Sequence, residues 1–171
     1  MNDKNTINWY PGHMAKTKRL IRETIDLVDV VVHVIDARIP KSSFIPDIND
    51  FTVNKKKIIL MSKYDLCDKE LTGKWKKYYE NLGYEVILSD INNSKVKTEL
   101  INKVNVLMKP INDKRKGKGL LPKRARVMIV GVSNVGKSTL INKLVNKKVT
   151  VVGNKPGVTK SLSTIKINDK I

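Results

Sequence analysis

Gly131-Val132-Ser133-Asn134-Val135-Gly136-Lys137-Ser138 fits the pattern G-x-x-x-x-G-K-[ST], a set of residues suited to holding a polyphosphate. A triphosphate concentrates negative charge and needs many donors at short range. Glycines at 131 and 136 let the backbone curl so that successive N–H groups, from Ser133 through Thr139, point at the phosphates. A helix that follows would add its unpaired N–H groups and the positive end of its dipole. Lys137 would reach the β- and γ-phosphates, and the Ser138 hydroxyl would ligate Mg2+.

A second stretch, Ser62-Lys63-Tyr64-Asp65, is chemically complementary to the first. It resembles Asn-Lys-x-Asp, the guanine-recognition motif of GTPases. A carboxylate at 65 can accept from both the N1–H and the exocyclic amine of guanine, a donor pair that adenine does not present. Lys63 would lay its aliphatic stem over the base plane.

These residues need a frame, and the hydrophobic patterning supplies one. Asp29 to Arg38 (DVVVHVIDAR), Lys57 to Met61, Glu85 to Leu88 and Arg126 to Val130 read as short buried strands. Helical patterns alternate with them. A basic helix is expected over 14–28. A second begins at Asp68 as cap, carries Leu71, Trp75, Tyr78 and Leu82 as its inward stripe, and stops at Gly83. A third begins at Ser94, is striped by Val96, Leu100, Val104 and Leu107, and ends at Pro110. The fourth follows Ser138, with Leu140, Ile141, Leu144 and Val145 on one face. Beyond it, 163–167 reads as a strand and Asn168-Asp169 as a hairpin turn. Alternating strands and helices predict an α/β fold with a mostly parallel sheet and helices on both faces. Ligands of such sheets sit at the carboxyl ends of the strands. Asp36, Ser62 to Asp65, Ser89 and Gly131 all fall there, so one crevice should collect them. His33, inside a strand, reads as a core residue.

Composition adds a partner. Lysine and arginine exceed the acids by 34 to 16, a net charge of +18 on 171 residues. So large an excess implies an anionic partner bigger than one nucleotide, most plausibly nucleic acid. Few aromatics interleave with the basic residues, which argues against a reader of single strands by stacking. The basic stretch 109–126, with Asp113 as its single acid and Gly117, Gly119 and Pro122 keeping it irregular, is the best candidate contact. Cys67 is the one cysteine, so an internal disulfide and a cysteine-based metal site are excluded and a reducing compartment fits. The polar start of the chain is no secretory signal, and no run approaches transmembrane length. A cytoplasmic, monomeric protein without a membrane partner is expected.

Base recognition lies upstream of the phosphate loop, the reverse of the ordinary GTPase order. That order, with Trp9-Tyr10-Pro11-Gly12-His13-Met14-Ala15-Lys16, Asp36-Ala37-Arg38-Ile39-Pro40, the phosphate loop and Pro156-Gly157-Val158-Thr159, resembles the circularly permuted ribosome-assembly GTPases of the YlqF/RbgA type across essentially the whole sequence. The resemblance implies a Ras-like P-loop fold with cut and rejoined ends, spanning 1–171 as one GTPase domain. Residues 1–28 would be an N-terminal arm and helix, and 109–126 a connector. It implies a protein that binds GTP and GDP, acts late in assembly of the large ribosomal subunit and contacts ribosomal RNA in a nucleotide-dependent way. By the same resemblance Thr159 is the switch threonine that answers to Mg2+ and the γ-phosphate, and Asn134 matches the asparagine that holds K+ in potassium-stimulated relatives. His13 is a candidate to orient the attacking water, and the backbone N–H after Ser89 would meet guanine O6.

Departures from the pattern carry expectations of their own. Ser62 replaces the family asparagine, which should weaken base contacts, and Asp90 stands near guanine O6, which is unfavourable unless its carboxylate points away. The sequence ends where Asp-Thr-Pro-Gly should begin, and the family's C-terminal RNA-binding domain does not follow, so a fragment with weak or no GTP hydrolysis by itself is expected. Two competing readings remain. One is an RNA-binding module with a vestigial nucleotide site, and the other is an ATP-using phosphate-loop enzyme, which Asp65 argues against.

Overall fold

A computed structural model of the chain describes Arg19 and residues 22–145. His13, Thr159, and the strand and turn expected over 163–169 lie outside the described residues. Among the described residues four parallel strands form a sheet: β1 (Val30–Asp36), β2 (Lys56–Ser62), β3 (Glu85–Leu88) and β4 (Val127–Val130), in the order β3-β2-β1-β4. Val32 of β1 stands opposite Ile58 of β2 and Ile129 of β4, which sets the register. Every residue of β1 is buried, as a continuous run of β-branched residues in a central strand requires.

Helices cover both faces. Besides a short α1 (Ile48–Phe51), the chain forms α2 (Lys69–Asn81), α3 (Val96–Gly117) and α4 (Lys137–Val145). On one face, Val96, Leu100, Val104 and Met108 of α3 and Leu140 and Leu144 of α4 pack on Val30, Val32 and Val34. On the other, Ile35, Ile59 and Met61 meet Tyr79 of α2 and Tyr84, while Val31 and Val130 meet Ile48 of α1. The described part of the expected first helix is helical at 22–24 and tightens into a 3-10 turn at Ile25–Leu27.

Asp68 caps α2 as expected, its Oδ1 accepting from the N–H groups of Glu70 and Leu71 at 2.9 and 3.0 Å. The inward stripe of α2 differs from the expectation. Leu71, Tyr78 and Leu82 are exposed, and the buried residues are Thr72 and Tyr79. The helix is turned so that the Thr72 hydroxyl donates to the Ala37 carbonyl (3.2 Å) and the Tyr79 hydroxyl to the Pro40 carbonyl (3.3 Å). Two loop carbonyls behind β1 need donors, and Tyr79 also enters a cluster with Phe44, Trp75 and Tyr84.

The third helix differs at both ends. Its cap position is Lys95, not Ser94, and it runs through Pro110 to Gly117. Proline deprives the carbonyl four residues back, that of Val106, of its partner. Val106 and Pro110 are both exposed, so water can take that carbonyl and the apolar seam on the opposite side is undisturbed. The first half of 109–126 is therefore helix. The remainder is tied down: Asn112 Oδ1 accepts from the Lys123 N–H (2.8 Å), and the Asp29 carboxylate accepts from the Arg126 N–H (3.0 Å) and from Lys123 Nζ.

Candidate nucleotide-binding site

The loops after all four strands meet at the carboxyl edge of the sheet. The phosphate loop joins β4 to α4, so Lys137 and Ser138 open the helix and Thr139 completes its first turn. The side chain that glycine lacks explains both glycines. A Cβ at Gly131 would collide with the Val34 carbonyl oxygen of β1, and one at Gly136 would meet Ile91 of the loop after β3 at 2.5 Å. Gly136 also has φ +100°, in the left-handed region. Ser133 and Asn134 are exposed, whereas the Val135 side chain is buried in the core, leaving only its backbone to face a ligand. Lys137 Nζ bends back to the Val132 carbonyl at 2.5 Å, and burial pushes its pKa down. A cation so placed, at a helix N-terminus beside exposed loop N–H groups, can exchange one carbonyl for phosphate oxygens.

The loop after β2 lies against this one. Lys63 Nζ donates to the Asn134 carbonyl (2.9 Å) and to Asp36 Oδ2 (2.8 Å). Asp65 is exposed in the 3-10 turn Tyr64–Leu66, open to an incoming base. Ser62 is not turned to the crevice. It is fully buried, and its hydroxyl donates to the Ile35 carbonyl across the strands at 3.0 Å. The Ser89 N–H is taken by the Met61 carbonyl (3.1 Å), while Asp90 turns its carboxylate onto its own loop, accepting from the Asn92 N–H at 2.8 Å. An Asx turn of this kind keeps the charge of Asp90 off the crevice.

Asp36 at the end of β1 is the residue whose part the spacing did not disclose. It is 3% exposed, and Arg38 clamps it through Nε (3.0 Å), Nη2 (2.8 Å) and its backbone N–H (3.0 Å). Burial alone would raise its pKa. The Arg38 and Lys63 hydrogen bonds outweigh that and hold the carboxyl well below the usual carboxylate range. The available signal was an acid closing an all-buried strand with an arginine two residues on, because a buried charge must be paired.

His33, one strand position before Val34, is buried in the core. Its Nε2 accepts from the Ile45 N–H at 3.3 Å, and Nδ1 has no hydrogen-bond partner among the described residues. Burial, with the Lys137 charge adding to it, lowers its pKa from 6.5 to about 4. Unfolded chains therefore bind more protons between those values, and stability rises with pH across that window and levels off above it. Acidification from pH 7 to 4 should cost up to about 3 kcal/mol through this residue. His33→Gln, which keeps an acceptor for Ile45 without titrating, should flatten that slope in thermal unfolding followed as a function of pH. Asp36 acts in a lower window: the stability from its pairing is fully present above the ordinary carboxylate pKa of 3.8 and is lost as pH falls from there through its depressed folded-state pKa.

Among the described residues no group of three or more histidines, cysteines and acids is arranged to hold a metal ion. Of the described residues, Ser138 at the start of α4 is the one whose hydroxyl could meet a divalent cation carried by a bound phosphate. No helix of the described residues is long and apolar enough to cross a membrane.

Comparison with known proteins agrees with this geometry. The family described as 50S ribosome-binding GTPase matches residues 126–171. Ribosome biogenesis GTPase A of Priestia megaterium is 41% identical over 97% of this chain and 58% of its own length. That of Thermotoga maritima is 36% identical over 96% of the chain and 56% of its own. A GDP-bound structure of YlqF superposes with a TM-score of 0.58 at 33% identity, covering 75% of this chain and 48% of that one. A GNP-bound YlqF from T. maritima gives 0.56 at 33% identity, covering 78% and 49%. The chain thus spans a little over half the length of the curated relatives it matches.

Proposed function

We propose that this chain, which is similar to ribosome biogenesis GTPase A over nearly all of its own length, is the guanine-nucleotide-binding part of a circularly permuted, GTP-hydrolysing assembly factor for the large ribosomal subunit. The observation that carries the reading is the hydrogen bond between Lys63 of the base-recognition loop and the Asn134 carbonyl of the phosphate loop. Two loops distant in sequence meet through it, which supports a single site built from both.

In this reading Lys137 and the N–H groups of Ser133 to Thr139 hold the phosphates, and Asp65 accepts from guanine. Lys63 covers the base, and Ser89 and Asp90 border its O6 edge. The Ser138 hydroxyl and Thr159 would hold Mg2+, and the Asn134 side chain would hold K+, cations that offset charge developing at the phosphates. His13 would orient water. Because the Ser62 hydroxyl is turned inward, base recognition rests on Asp65 and Lys63. The partner is ribosomal RNA of a large-subunit precursor in the cytoplasm. It would be met by the exposed cations of 109–126, which stand on a helix end and a tethered irregular segment rather than a loose linker.

The inward Ser62 hydroxyl also favours a second reading, an RNA-binding module whose nucleotide site is vestigial. Calorimetric titration with GDP and with ADP, in magnesium and potassium buffer, separates the two. Binding of GDP and not ADP is expected. Binding of neither, with RNA binding retained, supports the module, and equal binding of both would remove the guanine-specific reading.

A further inference from the structure

We propose that Asp36 is a positioning residue of the nucleotide site: through Lys63 it locks the base-recognition loop to the phosphate loop before any ligand arrives. The inference concerns the same crevice and rests on the nucleotide-binding reading for its consequence, though not for its geometry.

Three observations carry it. First, the Asp36 carboxylate is buried at the end of the central strand and saturated with charged donors. Arg38 supplies a two-pronged clamp, and Lys63 Nζ takes Oδ2 at 2.8 Å. A buried carboxylate is costly unless its geometry is well defined, so it acts as a fixed anchor and not as an adaptable surface charge. Second, the same ammonium of Lys63 donates to the Asn134 carbonyl at 2.9 Å, so one cation joins the end of β1 to the tip of the phosphate loop. Third, the backbone at one end of that bond is strained: Lys63 has φ +56°, a left-handed value that carries a penalty in a lysine, while Asn134 at φ +63° takes the same region, which asparagine tolerates better. Residues in that region persist where surrounding contacts over-determine them, and here the contacts are the ones that run through Asp36.

The consequence is preorganisation. A Lys63 held from below keeps its aliphatic stem where a base plane would lie. An Asn134 carbonyl drawn outward to the ammonium leaves the neighbouring N–H groups of the loop free to face the crevice. Without the carboxylate the ammonium keeps one neutral partner, water competes for it, and the loops move independently. Nucleotide binding then has to order them.

Two single variants and their double test this. Asp36→Asn removes the charge at constant size. Lys63→Met keeps the stem and, being on a partly exposed side chain, leaves folding intact even where Asp36→Asn does not. Hydrogen exchange of the nucleotide-free full chain is the readout that does not depend on any ligand. Each single variant should speed exchange at 132–136 by about tenfold, the worth of one charge-assisted hydrogen bond, with β1 and β2 unchanged. The double variant should go no further than either single. Unchanged exchange at 132–136 in Lys63→Met would overturn the proposal. So would increments that multiply in the double variant, or acceleration spread evenly over the sheet. GDP titration of the same proteins should show the same non-additive loss. Failure of the unsubstituted chain to bind GDP would count against the nucleotide reading alone, while the exchange pattern would still decide the role of Asp36.

Discussion

Lys137→Ala lowers affinity for GDP and GTP by about two to three orders of magnitude, the expected cost of losing charge-assisted hydrogen bonds to two phosphates at a helix N-terminus. The loss is independent of the base. Whatever weak binding of adenine nucleotides the protein has should fall in proportion. Stability of the nucleotide-free protein should move little. Lys137 is partly buried, burial already pushes its pKa down, and its one hydrogen-bond partner among the described residues is the Val132 carbonyl. Removing it discards an unfavourably desolvated cation along with one hydrogen bond, so the two effects offset. Calorimetric titration gives the first quantity and thermal unfolding without nucleotide the second. Retained affinity in Lys137→Ala would mean that the phosphates are held elsewhere.

Asp65→Ala acts on the other half of the ligand. Two hydrogen bonds from guanine to a carboxylate are lost together, so GDP affinity should fall by about a thousandfold. ADP affinity should stay as it was, and the discrimination between the bases should collapse. Asp65→Asn sharpens the test. An amide presents one acceptor and one donor where the carboxylate presented two acceptors, so it mismatches the guanine amine but suits a base with a carbonyl at that position. Xanthosine diphosphate should therefore bind Asp65→Asn better than GDP does. Asp65 is exposed on a 3-10 turn and caps no helix among the described residues, so neither variant should disturb folding. Equal loss for GDP and ADP in Asp65→Ala would point instead to damage at the phosphate loop, which the Lys63–Asn134 bond makes a neighbour.

The two substitutions separate because the site has two chemically distinct halves, and that division was legible in the residues alone. G-x-x-x-x-G-K-S between a buried strand and a helix carries its own geometry: glycines for close approach, a lysine for phosphate and a hydroxyl for a cation. Asp65 at a strand end carries its own specificity. The strands were legible for the same reason, since continuous β-branched runs have few alternatives to a buried parallel strand. So was the Asp68 cap, whose partners lie within three residues. The sequence order of the motifs matched that of the ribosome-assembly GTPases the chain resembles, and their strand-end positions predicted a single crevice. All of these depend on chemistry that is local in the chain.

Where partners come from far away, the residues alone left the outcome open. Periodicity drew the α2 stripe through Leu71, Trp75, Tyr78 and Leu82; Trp75 does pack on the core, but the face that turns inward is the one whose hydroxyls reach the Ala37 and Pro40 carbonyls, more than thirty positions upstream. Pro110 read as an end of α3. It is tolerated because its missing bond falls on the solvent side, a fact about orientation that no window of sequence contains. Ser62 read as a weakened base contact, and packing of β1 on β2 turned its hydroxyl inward. Asp36 read as one more residue at the crevice. Its clamp by Arg38 is local, but its bond to Lys63 exists because the parallel register sets Asp36 opposite Ser62, next to the lysine. Residue types and spacing thus specified which groups can do chemistry. The packing of distant segments specified which of them face the crevice and which hold the others in place, because burial, pairing and desolvation depend on neighbours that only the folded chain brings together.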